Sequence, residues 1–439
     1  MLRLSSPVVR GLVFGGGWLA VGAPGWASAG EHHPHADNGL GNDGAVEDPL
    51  DGDQGLGNDG WAPNEGGGPC AEGDWGDIGP PVDGWLHVSA LSGNDASADG
   101  TVDHPFATVA TAVGVAATLP AGSDRVVVLW PGEYDAAVSL LPGEGWDDPV
   151  AFLGCSPLES VLLAADPFAP VLDLAVAQVV AVRGVGFVGG TAALTARDGV
   201  HLTTERVGVA GSREVGIAAI GSETEVETRH TFIDVPAADG CGWGIGSWGA
   251  ETVLRETAVS GARGVAVFAE GGSIEIEGGS LVATTPDLNS RYGRAIHAQY
   301  ADVTIGWTTI SDSTDAAIFL LDPLDAVIKG VIIDITGAGV VGGESTGDAI
   351  VIVGGGGGKY KVKDSWIYDS ARSSLVIEAA GVELSGNTFV GAGIEPVLGY
   401  GAFGQGGGAV HGLDAADVLW LAPGSELELD RDPMACALY

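Results

Sequence analysis

The sequence predicts an all-β fold, a parallel β-helix with a short N-terminal capping helix, and three observations carry that reading. Glycine reaches 74 of 439 residues, more than twice the ordinary ~7%, without the Gly-X-Y period of collagen. The Val, Ile and Leu runs between the glycines are short and lack a sustained 3.6-residue period. A pair of apolar residues five positions apart recurs along the chain at intervals clustering near 22 residues. The composition also excludes classes. With 45% hydrophobic residues the chain has the means to bury a core. With 58 acidic against 18 basic residues, a net charge of −40, it lacks the basic surface a nucleic-acid binder needs.

Taken from the N-terminus, residues 1–29 have the form of a secretory signal: Arg3 and Arg10, an apolar run from Gly11 to Ala23, and the small residues Ala27-Ser28-Ala29 as a cleavage site. That run is too short to span a membrane, and no later stretch reaches about 18 apolar residues, so the expectation is an exported protein with no membrane span. In an oxidising compartment Cys70, Cys155, Cys241 and Cys436 are expected to form two disulfides, with three connectivities open. Residues 30–84 hold 13 acidic residues and no Lys or Arg, and repeat Gly-Leu-Gly-Asn-Asp-Gly at 39–44 and 55–60. This is the composition of a flexible acidic tether. Glu31-His32-His33-Pro34-His35 reads either as a metal-binding cluster or as a solvated N-terminus. Asp51-Gly52-Asp53 opens like a calcium loop, but Leu56 and Ala62 stand where an EF-hand needs glycine and glutamate.

The β-helix domain is expected over 85–439. An open-ended stack exposes its first coil, and residues 105–118 offer a cover. Pro105 suits a first helical turn, Phe106, Val109, Val113 and Ala116 share a face, and Pro120 and Gly122 end the run. Beyond it the paired pattern runs Val182/Phe187, Leu202/Val207, Thr228/Ile233, Leu254/Val259, Ile276/Leu281, Ile305/Ile310, Ile328/Ile333, Val362/Ile367 and Leu384/Phe389. Short strands with glycine corners suit coils that stack like residues on like. A leucine-rich repeat has a similar period, but its Leu-x-x-Leu-x-Leu signature is missing.

The stretch Leu86-His87-Val88-Ser89, Ser92-Gly93-Asn94-Asp95, Asp99-Gly100-Thr101, Pro105-Phe106-Ala107-Thr108, Val126-Val127-Val128 and Pro131-Gly132-Glu133-Tyr134 resembles the opening of the pectate-lyase-like right-handed parallel β-helix proteins. Within them it is most similar to family nine polysaccharide lyases and related uncharacterised exported proteins. The resemblance covers residues 86–134. It implies the right-handed fold, with this segment as a structural cap that holds no catalytic residue. It also implies, for a lyase, calcium held by aspartates on neighbouring coils and a lysine base.

Short catalytic signatures carry little in so glycine-rich a chain. Gly244-Ile245-Gly246-Ser247-Trp248-Gly249 and Gly343-Glu344-Ser345-Thr346-Gly347 match dinucleotide and nucleophile-elbow patterns at chance frequency, without the strand-to-helix context these need. The register is more informative, because residues flanking an inward anchor point outward. One step past the anchors stand Arg183, Thr203, Arg229, Arg255, Glu277, Gly306, Lys329, Lys363 and Ser385, five of them basic. One step before stand His201, Glu227, Glu275, Lys361 and Glu383. One reading is a groove for an anionic polysaccharide, bound by Arg229, Arg255, Arg291, Arg294, Lys329, Lys361 and Lys363. Lys329, Lys363 or Arg255 would then serve as base, its pKa lowered among cations. The insertions between anchors 276 and 305 and between 328 and 362 would wall the groove. The other reading pairs these cations with Glu227, Glu256, Glu275, Glu277, Asp364 and Glu383. Asp312, Asp315 and Asp334 are the candidate calcium ligands, Asp312 and Asp334 being 22 apart. His297 reads as a surface histidine, and Trp243, Trp248 and Trp307 as sugar-stacking or packing aromatics. The expected function is that of a noncatalytic surface or extracellular glycan-interacting or structural protein, with a calcium-dependent polysaccharide lyase as the alternative.

Overall fold

The computed structural model describes residues 84–400, apart from 144, 147, 176–178, 236–240, 289–291, 339, 342–343, 355–357, 379–380 and 394, together with 410–411 and 418–420. The expected signal segment, the tether as far as residue 83, Arg291, Cys70 and Cys436 lie outside the described residues. No free cysteine occurs among those described. None of the described helices is long and apolar enough to cross a membrane.

The chain winds as a right-handed parallel β-helix whose described strands form three long sheets of 13, 11 and 12 strands, here called the first, second and third. Each coil visits them in that order. Glu251–Arg255 lies in the first sheet, Ala258–Ser260 in the second and Val265–Glu270 in the third, and Ser273–Glu277 then stacks back on Glu251–Arg255. The buried core is one continuous column of Val, Ile, Leu and Ala between the sheets.

The register bears out the paired pattern on eight of its nine coils; on the remaining one the expected Leu202/Val207 is replaced by Thr204/Val209, two residues on. The second-sheet column runs Phe187, Val209, Ile233, Val259, Leu281, Ile310, Ile333, Ile367 and Phe389. In the first sheet eight of the nine expected anchors align, and the ninth moves: Thr204, not Leu202, pairs with Val182 and Thr228. Threonine fits because its branched side chain suits a strand and its buried hydroxyl finds a partner inside the cylinder. Thr204 meets Thr231 at 3.1 Å and Thr228 meets Thr257 at 2.7 Å, hydroxyl to hydroxyl.

Two positions beyond each anchor the backbone turns the corner from first to second sheet in the left-handed region, with φ between 47° and 54° at His230, Glu256, Trp307 and Asp364 and near 65° at Gly330. Gly330 is required for a second reason. A Cβ there would lie 2.6 Å from the Trp307 ring, which rests on it from the preceding coil.

The cap forms as expected but starts later. The helix spans Val109–Thr118, with Thr108 as its N-cap, and buries Val109, Ala112, Val113 and Ala116. Pro105 is not in its first turn. Phe106 instead pairs with the first strand, Leu86–Val88, its N–H donating to the His87 carbonyl at 2.9 Å. Asp95 then accepts from the N–H groups of Ala107 and Thr108, at 2.7 and 3.1 Å, and from the Thr108 hydroxyl at 2.8 Å. These bonds satisfy donors that a helix start leaves without partners.

The long insertions do not flank the first sheet as expected. Most of both falls between second- and third-sheet strands, between Val282 and Arg294 and between Thr336 and Asp348. Tyr292, at the end of the earlier one, packs with Trp243, Val265 and Phe268 against the third sheet.

Candidate functional site

The outer face of the first sheet carries the in-register line read from the sequence. Its column is Arg183, Glu205, Arg229, Arg255, Glu277, Gly306, Lys329, Lys363 and Ser385, with Glu205 in place of the expected Thr203. Arg229, Arg255, Lys329 and Lys363 share one line of the cylinder, and Lys361 and Glu383 stand beside it on the same face.

Carboxylates interleave with these cations. Arg183 bonds Glu205 at 3.1 Å, and Arg229 bonds Glu227 at 2.8 Å. Arg255 is held by Glu227 at 3.2 Å, by Glu275 at 3.3 Å and by Glu277. Lys363 and Lys361 meet Glu383 at 2.9 and 3.7 Å. Partial burial works to lower the pKa of Arg255, but its bond to Glu227 and the charges of Glu275, Glu277 and Glu227 outweigh it and hold the pKa above its ordinary value. A base requires the opposite shift. Arg255 sits among carboxylates rather than among cations, which removes the reason to expect it as a base, whereas Lys363 stands beside Lys329 and Lys361 with the one carboxylate of Glu383. Lys329 has no carboxylate partner among the described residues and lies with its Nζ 5.7 Å from the centre of the exposed Trp307 ring.

Two shallow depressions follow the same face. One, of about 290 Å³, is lined by Asp124, Arg125, Val126, Asp148, Ala151, Val179 and Ala181. The other, of about 300 Å³, is lined by Ala181, Arg183, Thr203, Glu205, Glu227 and Arg229. They meet at Ala181. Sequence reasoning missed this floor, because alanine and threonine carry no chemical signature. Their outward position between long charged side chains was the available signal.

Other expectations resolve differently. Arg294 is not on this face. It projects from the third sheet, is 1% exposed and bonds Asp315 at 2.7 Å. Its guanidinium carbon lies 3.7 Å from the Phe319 ring centre. His297 is likewise buried rather than superficial, at 1% exposure, between Phe268 and Phe319. Its Nδ1 lies 3.3 Å from Arg294 Nη1, and its Nε2 has no hydrogen-bond partner among the described residues. One coil on, Arg372 bonds the buried Asp348 at 2.8 Å. Trp243 is buried and stacks with Trp248 at 5.9 Å, which leaves Trp307 as the exposed member of the three.

The calcium trio does not assemble. Asp315 is buried against Arg294, Asp334 pairs across the second sheet with Ser311, and Asp312 turns a corner with φ 56°. No group of three metal-ligating side chains occurs among the described residues. A hard cation needs several oxygens converging on one point, so these residues do not fit the calcium the lyase resemblance implies.

No family model and no curated protein matches the sequence. Several solved structures do. The catalytic unit of the thermostable GH87 alpha-1,3-glucanase from Streptomyces thermodiastaticus strain HF3-3 is 15% identical over 79% of this chain and 70% of that one, with a TM-score of 0.48. A GH87 alpha-1,3-glucanase catalytic domain in complex with nigerose is 11% identical over 78% and 70%, with a TM-score of 0.41. A rhamnogalacturonan lyase is 11% identical over 79% and 89%, with a TM-score of 0.25. At this level the likeness carries no residue-by-residue correspondence. The narrower similarity to family nine lyases rests on residues 86–134 alone.

Proposed function

We propose that the chain is an exported β-helix protein that binds a polysaccharide along the outer face of its first sheet without cleaving it. The observation that carries this reading is the pair of depressions meeting at Ala181 within an in-register line of charged side chains. A sugar chain presents hydroxyl groups at its edges and weakly apolar ring faces. The floor of Ala151, Ala181 and Thr203 lets a ring approach the sheet, while Arg183, Glu205, Arg229 and Glu227 supply donors and acceptors at the rim. From the strand of Val179 to that of Lys363 the face is seven steps long, or ~34 Å at ~4.8 Å per step. Binding without cleavage is supported by the state of the ionisable groups. Glu205 and Glu227 are engaged by guanidinium groups, Arg255 is held more firmly in its protonated form, and the calcium ligands are scattered.

Calorimetric titration of the purified protein with neutral and uronic polysaccharides tests this, alongside an assay for unsaturated products with calcium present. The expected result is binding to at least one polysaccharide, weakened severalfold in a variant carrying Arg183→Ala and Arg229→Ala, with no product. Product formation, or binding indifferent to both substitutions, contradicts it.

A further inference from the structure

Like charges directly opposite across a strand pair destabilise a sheet. The first sheet contains two such contacts among its cations, and they are handled differently. Arg229 and Arg255 are register partners, and one carboxylate oxygen of Glu227 lies 2.8 and 3.2 Å from their guanidinium nitrogens, bridging them. Lys329 and Lys363 are also register partners. There the available carboxylate, Glu383, lies on the far side. It bonds Lys363 at 2.9 Å and Lys361 at 3.7 Å, and no carboxylate reaches Lys329. In a chain of net charge −40, a lysine pair lacking a bridging anion stands out.

Beside that gap lies Trp307. It is 60% exposed, and one face of its ring rests on Gly330, where three ring atoms fall within 2.6–3.0 Å of where a Cβ would be. The indole is thus supported by the next coil while most of it remains exposed, and Lys329 Nζ lies over the ring, 5.7 Å from its centre. A supported, exposed aromatic surface with an ammonium that no described carboxylate reaches combines the two contacts an acidic sugar needs: a platform for the ring and a counter-charge for its anion.

We propose that Trp307, Lys329 and Lys363 form a subsite for an anionic pyranose unit. The sugar ring lies on the exposed indole, and its carboxylate or sulfate meets the Lys329 ammonium, with Lys363 as the neighbouring cation on the next coil. This rests on the reading of the first sheet as a glycan-binding face and names the class of sugar that one part of it selects.

The test is calorimetry of the full chain with an oligogalacturonate, its fully methyl-esterified counterpart and a sulfated galactan oligomer, on wild type, Trp307→Ala, Trp307→Phe and Lys329→Gln. Trp307→Ala is expected to weaken both galacturonan probes roughly tenfold and Trp307→Phe less than threefold. Lys329→Gln is expected to weaken the acid severalfold while leaving the ester unchanged, because only the acid carries the charge that lysine meets. The sulfated oligomer distinguishes a carboxylate from a sulfate as the preferred anion, and unchanged melting temperatures confirm folding. Unchanged binding in Trp307→Ala and Lys329→Gln, with loss in the variant carrying Arg183→Ala and Arg229→Ala, overturns the subsite and leaves the wider reading standing. Failure of the wild type to bind any of the three probes overturns the subsite directly.

Discussion

The outer faces of the first and third sheets are built on the same stacked coils and both carry arginine bound to carboxylate, yet the two sets of pairs do different work. On the first sheet Arg255 is 37% exposed at its side chain and shares three glutamates in solvent. On the third, Arg294 and Asp315 are 1% and 5% exposed at their side chains and sit among Phe319, Tyr292 and His297. Exposed pairs contribute little and can be exchanged for a ligand's charges, whereas a sealed pair costs several kcal/mol to break because its surviving partner stays desolvated. At these two positions the first sheet presents an exchangeable pair and the third a sealed one. The contrast belongs to the pairs rather than to whole sheets, since Arg197 on the third sheet, 34% exposed at its side chain, meets Asp173 at 3.0 Å and Asp198 at 2.8 Å.

The largest expected effect lies on the third sheet. Arg294→Met should destabilise the fold by about 3–5 kcal/mol by denaturant unfolding, since it strands Asp315 without a partner. Adding Asp315→Asn should recover much of the loss. A cost below about 1 kcal/mol would erase the distinction between the two pairs.

Next comes a pH effect confined to the same face. Burial first, and the Arg294 charge second, lower the pKa of His297 well below its ordinary 6.5. The folded state keeps it neutral, whereas the unfolded chain takes up a proton near pH 6.5. The stability it contributes is present above that pH and is lost as pH falls below it, at about 1.4 kcal/mol per unit until the folded pKa is reached. His297→Phe keeps a ring between Phe268 and Phe319 and should flatten the decline in melting temperature between about pH 7 and pH 5. An unchanged slope would mean that His297 takes up its proton in the folded state as it does in the unfolded one.

Smallest is Arg255→Gln on the first sheet, expected to change stability by less than about 1 kcal/mol despite three carboxylate partners, and by still less in high salt. A larger loss would make the ladder structural rather than exchangeable.

The first sheet was far more legible in the sequence than the third, for physical reasons. An exposed strand alternates apolar and polar residues, so its register can be read, and the line through Arg183, Arg229, Arg255, Lys329 and Lys363 follows from it. The misplaced anchor arose because Thr204 looks polar while its hydroxyl is satisfied inside the cylinder by Thr231. The third sheet is buried on both faces, as in Ala316–Leu321, and such strands show no alternation. Arg294, arriving after an insertion, therefore read as a surface residue, and nothing near it in sequence announced Asp315 as its partner. The helix start was displaced for a similar reason. Proline suits a first turn, but Phe106 is claimed by the first strand and Thr108 by the cap.

The central claim, that ligand lies on the first sheet's outer face, is tested most directly by carbene footprinting of the full chain with and without a bound oligosaccharide. The account predicts loss of labelling at Val179 and Trp307, which are 46% and 60% exposed, with Leu158 and Phe168, at 91% and 72%, labelled as before. Protection at Leu158 or Phe168, with Val179 and Trp307 still labelled, would contradict it.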